Sequence, residues 1–262
     1  MYMVCRLGGF HTLMSYMGSI GTMMKGSGLD EALSTVYGEN AVQHMMSGKA
    51  FARALRGHFL VESALTNKLI SHFVPQQHRK NLPVEDNIEH PESLDINSSD
   101  ETDETASDDY ELDVDICATD NEKSFNEEEI KKLSKLYEVV KAGKATSENI
   151  LNSAELKKLK KNITDLKIQL AEQSRTAQLW LQYLEYIQVL KLFYRAERTG
   201  NWELHLFAVR KMINLFAATG HINYAKCARL YLQFMLKLPS DYPWLNKYFV
   251  ENGYHTIRKS DR

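Results

Sequence analysis

The sequence predicts a mainly α protein: a helical bundle in the C-terminal half, short helices plus an edge strand in the N-terminal half, and a disordered acidic linker between them. Three observations lead there. Apolar residues recur at helical rather than alternating spacing over most of the chain. Nine of the thirteen glycines fall within the first 57 residues, so that half is built of short elements with tight turns. Between Val84 and Glu129 stand nineteen Asp and Glu against one base, Lys123. The expected division is therefore a Gly-rich, mostly helical module over 1–74, a linker over 75–125 and a helical domain over 126–262.

Tyr2 to Leu7 is short, apolar and β-permissive, which suits a strand ending at Gly8-Gly9. His11 to Met24 carries Leu13, Met14, Met17, Ile20, Met23 and Met24 at helical spacing. Gly18 and Gly21 either weaken that helix or admit another backbone. A turn at Gly26 and Gly28 leads into a short helix, Leu29 to Tyr37, and Asn40 reads as the cap of Ala41 to Met46. Phe51, Leu55, Phe59, Leu65, Leu69 and Phe73 then share one helical stripe that Pro75 ends. From Asn97 to Asp109 no apolar residue is larger than alanine. Such a stretch buries too little to offset about 1–2 kcal/mol of backbone entropy per ordered residue.

Asn126, followed by Glu129 three residues on, is a capping-box signature ahead of Ile130, Leu133, Tyr137 and Val140, and Gly143 closes that helix. The next helix sets Leu156, Leu159, Ile163, Leu166 and Leu170 opposite Lys157, Lys158, Lys160 and Lys161. Ser174 opens a long apolar helix that Gly200-Asn201 breaks. Trp202 to Ala217 and His221 to Leu236 follow as helices, the second ending before Pro239. Tyr242 to Val250 is a last short helix, and Tyr254 to Arg258 suits a terminal strand. No repeat is evident.

The 262 residues are 44% hydrophobic and 25% charged, the composition of a globular protein. No run approaches the ~20 apolar residues of a membrane span, so no membrane role is expected. The opening residues lack the basic and apolar regions of a secretory signal. Cys5, Cys117 and Cys227, few and far apart, suit reduced thiols and an intracellular protein, with nucleus or cytoplasm unresolved. The net charge of −2 hides a division: the first 83 residues hold eight bases against four acids, and those after Glu129 hold 23 against eleven. Two basic bodies flank an acidic cord. The cord is either a solvated linker or a segment that folds back and competes with an anionic ligand.

Gly8-Gly9-Phe10-His11 lacks both GxGxxG spacing and a Walker lysine, so it reads as a tight turn rather than a nucleotide cradle. No CxxC or HExxH occurs, and the spacing of His205, His221 and Cys227 demands no zinc; neither cofactor nor metal is expected. The most distinctive stretch is Tyr194 to Leu206, where Arg195, Glu197, Arg198, Glu203 and His205 crowd the junction of two apolar helices. One reading is a helix corner with Glu197 paired to an arginine and Trp202 in the core. The other gives Glu197 or Glu203 an acidic catalytic or metal-binding role. Lys157, Lys158, Lys160 and Lys161 suit a phosphate backbone, although no aromatics interleave on their stripe. General nucleic-acid contact, without base reading, follows from that charge.

Arg6 to His11, Gly18 to Gly21, Gly26 to Leu29, Ser47 to Ala50, Arg195 to Arg198, Gly200 to His205 and Gly253 to Asp261 together resemble a family of uncharacterised, multi-copy animal proteins associated with transposable elements. The resemblance covers both ordered halves but not the acidic cord, and it implies no activity. It does imply that the chain is a fragment, since relatives extend past both ends. More remotely, it implies an RNase-H-like transposase parent with its third carboxylate near Glu197 or Glu203. Such chemistry needs three carboxylates on two metals, and His11 stands where the first would follow a strand.

Three functions are thus expected in order. The first is a non-catalytic helical interaction protein, a partial mobile-element product that binds an unknown protein partner and contacts nucleic acid weakly. The second is a metal-dependent nuclease or transposase core lacking its upstream segment. The third is a structural scaffold regulated by the acidic linker.

Overall fold

The computed structural model describes residues 7–74 and 124–254. Among these residues the protein is about 82% helical, with eleven helices and no strand. The acidic cord, the strand expected over Tyr2 to Leu7 except its last residue, and the terminal strand beyond Tyr254 lie outside the described residues. No described helix is long and apolar enough to cross a membrane.

The helices are α1 (Gly9–Met23), α2 (Leu29–Ser34), α3 (Glu39–Met46), α4 (Phe51–Ser71), α5 (Glu127–Lys141), α6 (Ser147–Asn152), α7 (Ala154–Gln173), α8 (Arg175–Thr199), α9 (Trp202–Ala218), α10 (Ile222–Asp241) and α11 (Pro243–Asn252). They fall into two compact units. One gathers the described residues of Met1–Lys68 and Ile163–Arg262; the other holds those of Leu69–Asn162.

In the first unit, α8, α9 and α10 pack in succession, and α1 lies against α8, α9 and α3. The apolar spacing of α1 puts Leu13, Tyr16, Met17 and Ile20 into the core, where Tyr16 meets Phe216 edge-on at 5.8 Å. Burial pushes the Tyr16 hydroxyl well above its ordinary pKa, and it donates to the Tyr186 carbonyl at 3.4 Å. The glycines of α1 answer the question its sequence leaves open. A Cβ at Gly21 would strike the Met46 carbonyl, and Gly18 faces the Ser47 carbonyl, so the end of α3 approaches α1 backbone to side. Gly48, at φ +75°, completes that approach against the Met14 carbonyl.

Several expected boundaries move, among them the end of α2, which stops at Ser34 rather than Tyr37. Asn40 does not cap α3; Gly38 precedes it in extended conformation, and the helix starts at Glu39, leaving Asn40 inside its first turn. Pro239 does not stop α10, which runs on to Asp241. A proline so near the C-terminus leaves only the Met235 carbonyl without its donor, a smaller loss than a mid-helix break.

In the second unit, the capping box forms as expected: Glu129 N–H donates to Asn126 Oδ1 at 2.8 Å, and Asn126 N–H to Glu129 Oε2 at 3.0 Å. α6, capped by Thr146, went unmarked in the sequence because six residues carry no periodicity to read. Phe73 and Phe125 are buried, joined by Phe125 N–H donating to the Phe73 carbonyl at 3.1 Å.

Candidate functional site

The corner between α8 and α9 gathers the most polar chemistry of the first unit. Gly200, at φ +69°, ends α8 in the left-handed region, and the Asn201 side chain caps α9 by accepting from Leu204 N–H at 2.9 Å. This tight reversal brings the last turn of α8 over the first turn of α9. Glu197 Oε1 and His205 Nδ1 are thereby 2.8 Å apart. A carboxylate accepts only, so Nδ1 carries an imidazole proton toward Glu197, and Nε2 lies 3.0 Å from the Tyr231 hydroxyl of α10. The Tyr254 hydroxyl donates to the same Glu197 oxygen at 2.8 Å.

Aromatic rings enclose this network. His205 is fully buried, with Trp202 stacked on it at 5.8 Å and 9°, and Tyr254 at 4.9 Å. Phe249 of α11 covers Trp202 at 4.8 Å. Tyr254 is itself buried, and its N–H donates to the Gly200 carbonyl at 3.1 Å, which ties the segment after α11 to the corner. On the far side, a Cβ at Gly9 would run into the Glu197 carboxylate, so the start of α1 rests directly on that group.

Glu203 does not join the network. It is exposed and lines a polar cleft of about 430 Å³ with Arg195, Asn201, Glu251 and Asn252. Of the two carboxylates singled out in the sequence, one is thus enclosed and hydrogen-bonded, the other open to solvent. Among the described residues, no three His, Cys, Asp or Glu side chains come together as a metal site. Cys227 is exposed.

A second polar cluster links α4 to α8. His58 Nδ1 meets the Tyr183 hydroxyl at 3.0 Å, while His58 Nε2 is buried without a hydrogen-bond partner among the described residues. Burial lowers the His58 pKa to about 4. Glu62, also buried, accepts from Gln188 Nε2 at 2.8 Å and Lys191 Nζ at 2.6 Å.

The lysine run divides by role. Lys158 Nζ is bonded to Glu129 at 2.8 Å and lies 4.8 Å from the Phe125 ring, so it braces the second unit. This, with the Asn126 N–H, holds the Glu129 carboxyl below its ordinary pKa. Lys157, Lys160 and Lys161 are exposed.

Sequence reasoning located Glu197, Trp202 and His205 but not their partners Tyr231 and Tyr254. Tyr254 falls at the start of the segment expected as a strand, and nothing local marks a tyrosine 57 residues from the carboxylate it binds. Nothing local marks His58 or Glu62 of α4, whose partners Tyr183, Gln188 and Lys191 lie more than 100 residues away.

Comparison with curated proteins gave no match, and neither did comparison with solved structures. A family model described as a domain of unknown function, DUF8702, matches residues 1–262, and the chain belongs to that family.

Proposed function

We propose that this chain is a non-catalytic helical interaction protein of mobile-element origin that also makes loose, salt-sensitive contact with nucleic acid. The observation that carries this reading is the engagement of Glu197. Its Oε1 accepts from both His205 and Tyr254, beneath Trp202 and against Gly9. A carboxylate serving a two-metal centre must turn its oxygens toward the ions. Here, turning would unpair a buried imidazole and a buried phenol. The group is better suited to holding α1, α8, α9 and Tyr254 together.

Surface for contact is plentiful. Along α10, Leu230 and Phe234 stand one turn apart at 55% and 68% exposure. Such apolar area on a helix face suits partner binding. Between Ser124 and Asn162, nine lysines stand against six glutamates, which supports attraction to polyanions. The mobile-element origin rests on the motif resemblance from Arg6 to His11 and from Arg195 to His205.

Fluorescence anisotropy with a labelled DNA duplex tests the nucleic-acid part. Affinity should fall steeply as salt rises from about 50 to about 200 mM. Salt-insensitive binding, or none, would remove that part. Magnesium-dependent nicking that disappears in Glu197→Ala or Glu203→Ala would replace the reading with a nuclease.

A further inference from the structure

We propose that the neighbouring faces of α4 and α8 form a binding strip for single-stranded nucleic acid, built from Arg53, Arg56, Arg195 and Arg198 with the rings of Phe59 and Tyr194. The inference rests on the nucleic-acid contact proposed above and assigns it to a surface other than the lysines of α7.

The two helices are brought together at the start of α1. Gly9 lies against Glu197 of α8, and the next residue, Phe10, packs its ring 4.9 Å from Phe51 of α4. Farther along, Phe59 meets Tyr194 edge-on at 6.3 Å. The Arg198 guanidinium sits 5.7 Å from the Tyr194 ring centre, and Lys191 Nζ sits 5.3 Å from that of Phe59. Arg53, Arg56 and Phe59 follow one another at three-residue intervals and so share a flank of α4.

The arginines of this strip are open to solvent. Arg53, Arg195 and Arg198 are exposed, and Arg56 is half-exposed; none of the four has an ion-pair partner among the described residues. Lys191, by contrast, is neutralised by Glu62. From Lys49 to Val61 and from Tyr186 to Thr199 the only acid is Glu197, which is held in its own network. Acids return on both sides of these stretches, Glu62 and Glu185 on one and, on the other, Glu203 and Glu251, which line the cleft with Arg195.

Cations alone would suit any polyanion. The half-exposed rings between them decide the class. An unpaired base offers a π-face to stack on an aromatic ring or a guanidinium plane, and a phosphate to pair with the adjacent arginine. A duplex hides those faces, and an acidic peptide has none.

The test measures binding of fluorescein-labelled oligothymidine to the full chain by anisotropy across a salt series. Oligothymidine should bind more tightly than a duplex of equal length. Arg195→Gln/Arg198→Gln should weaken it at least about tenfold and reduce the slope of log K against log salt by about 1.4, two cations at about 0.7 each. Tyr194→Leu should weaken it about tenfold with the slope unchanged. Circular-dichroism melting of each variant separates lost binding from lost fold, and the exposed arginines make that double variant the decisive one. Undiminished binding in the arginine variant, with loss in Lys157→Gln/Lys161→Gln, would overturn this site and leave nucleic-acid contact standing. Absence of binding to both single strand and duplex would overturn both. Polyglutamate that displaces oligothymidine equally well per charge would overturn the site in favour of an acidic peptide.

Discussion

Glu197 Oε1 and His205 Nδ1 lie 2.8 Å apart across the α8–α9 corner, one side chain largely enclosed and the other fully buried. The pair is fixed from four directions: Tyr231 on the far nitrogen, Tyr254 on the carboxylate, Trp202 stacked on the ring, and the start of α1 beneath Glu197. A network whose members are all paired is rigid, and each deletion exposes the desolvation cost of the partner left behind.

Glu197→Gln keeps the shape and one acceptor oxygen but removes the charge from the two hydrogen bonds that converge on Oε1. It is expected to cost about 1.5–3 kcal/mol, the range for hydrogen bonds to a charged group. Glu203→Gln, on the open side of the same corner, should change stability by less than about 0.5 kcal/mol. Urea unfolding of the two variants checks the contrast; equal effects would contradict the enclosed network.

Gly9→Ala should destabilise by about 1–3 kcal/mol, as overpacking does. The Glu197 tip is flexible in isolation, yet moving it from Gly9 breaks its bonds to His205 and Tyr254. In a Glu197→Ala background the cost of Gly9→Ala should shrink, giving a coupling of at least about 0.5 kcal/mol in a double-mutant cycle. Additive costs would assign Gly9 another role.

His58 makes stability depend on pH with a definite sign. Its folded pKa of about 4 lies below the ordinary 6.5, so the unfolded chain binds more protons between those values. The stability gained from keeping the ring neutral is complete above pH 6.5, declines as pH falls through that window, and is gone below about 4. At about 1.4 kcal/mol per unit the upper bound is about 3.5 kcal/mol. Denaturant midpoints over this range should fall less steeply in His58→Gln than in the parent chain.

Lys158 should behave unlike its neighbours. Lys158→Met removes the principal cause of the lowered Glu129 pKa, so the Glu129 carboxyl should titrate nearer its ordinary value. Lys157→Met, at an exposed position, should leave it in place. Carboxyl chemical shifts followed by NMR through the acid range report both. The depressed carboxyl also means that its contribution to α5 is present above pH 4.5 and lost as pH falls through the folded value.

The predominance of helix, the capping box at Asn126 and Glu129, the Ser174 cap of α8 and the break at Gly200-Asn201 were all legible in the chain. Each depends on residues within about one turn of one another, and 3.6-residue spacing records which face will be buried. The crowding of charge from Arg195 to His205 was legible too, because ionised groups beside apolar helices are conspicuous in composition alone. What these groups do was not. The hydrogen bonds of Glu197 to His205 and Tyr254 belong to neither expectation for it, an arginine pair or a metal.

The primary structure by itself determined which segments are helical, where most of them start and stop, and which corner holds the unusual charge. Only the tertiary structure decided that Tyr254 closes that corner, that Gly9 makes room for Glu197, and that the rings of α4 and α8 meet. The physical reason is range. Helix formation is governed by neighbours along the chain, whereas these partners are brought together by the burial of surfaces far apart in sequence, and no local pattern encodes which buried surface will meet which.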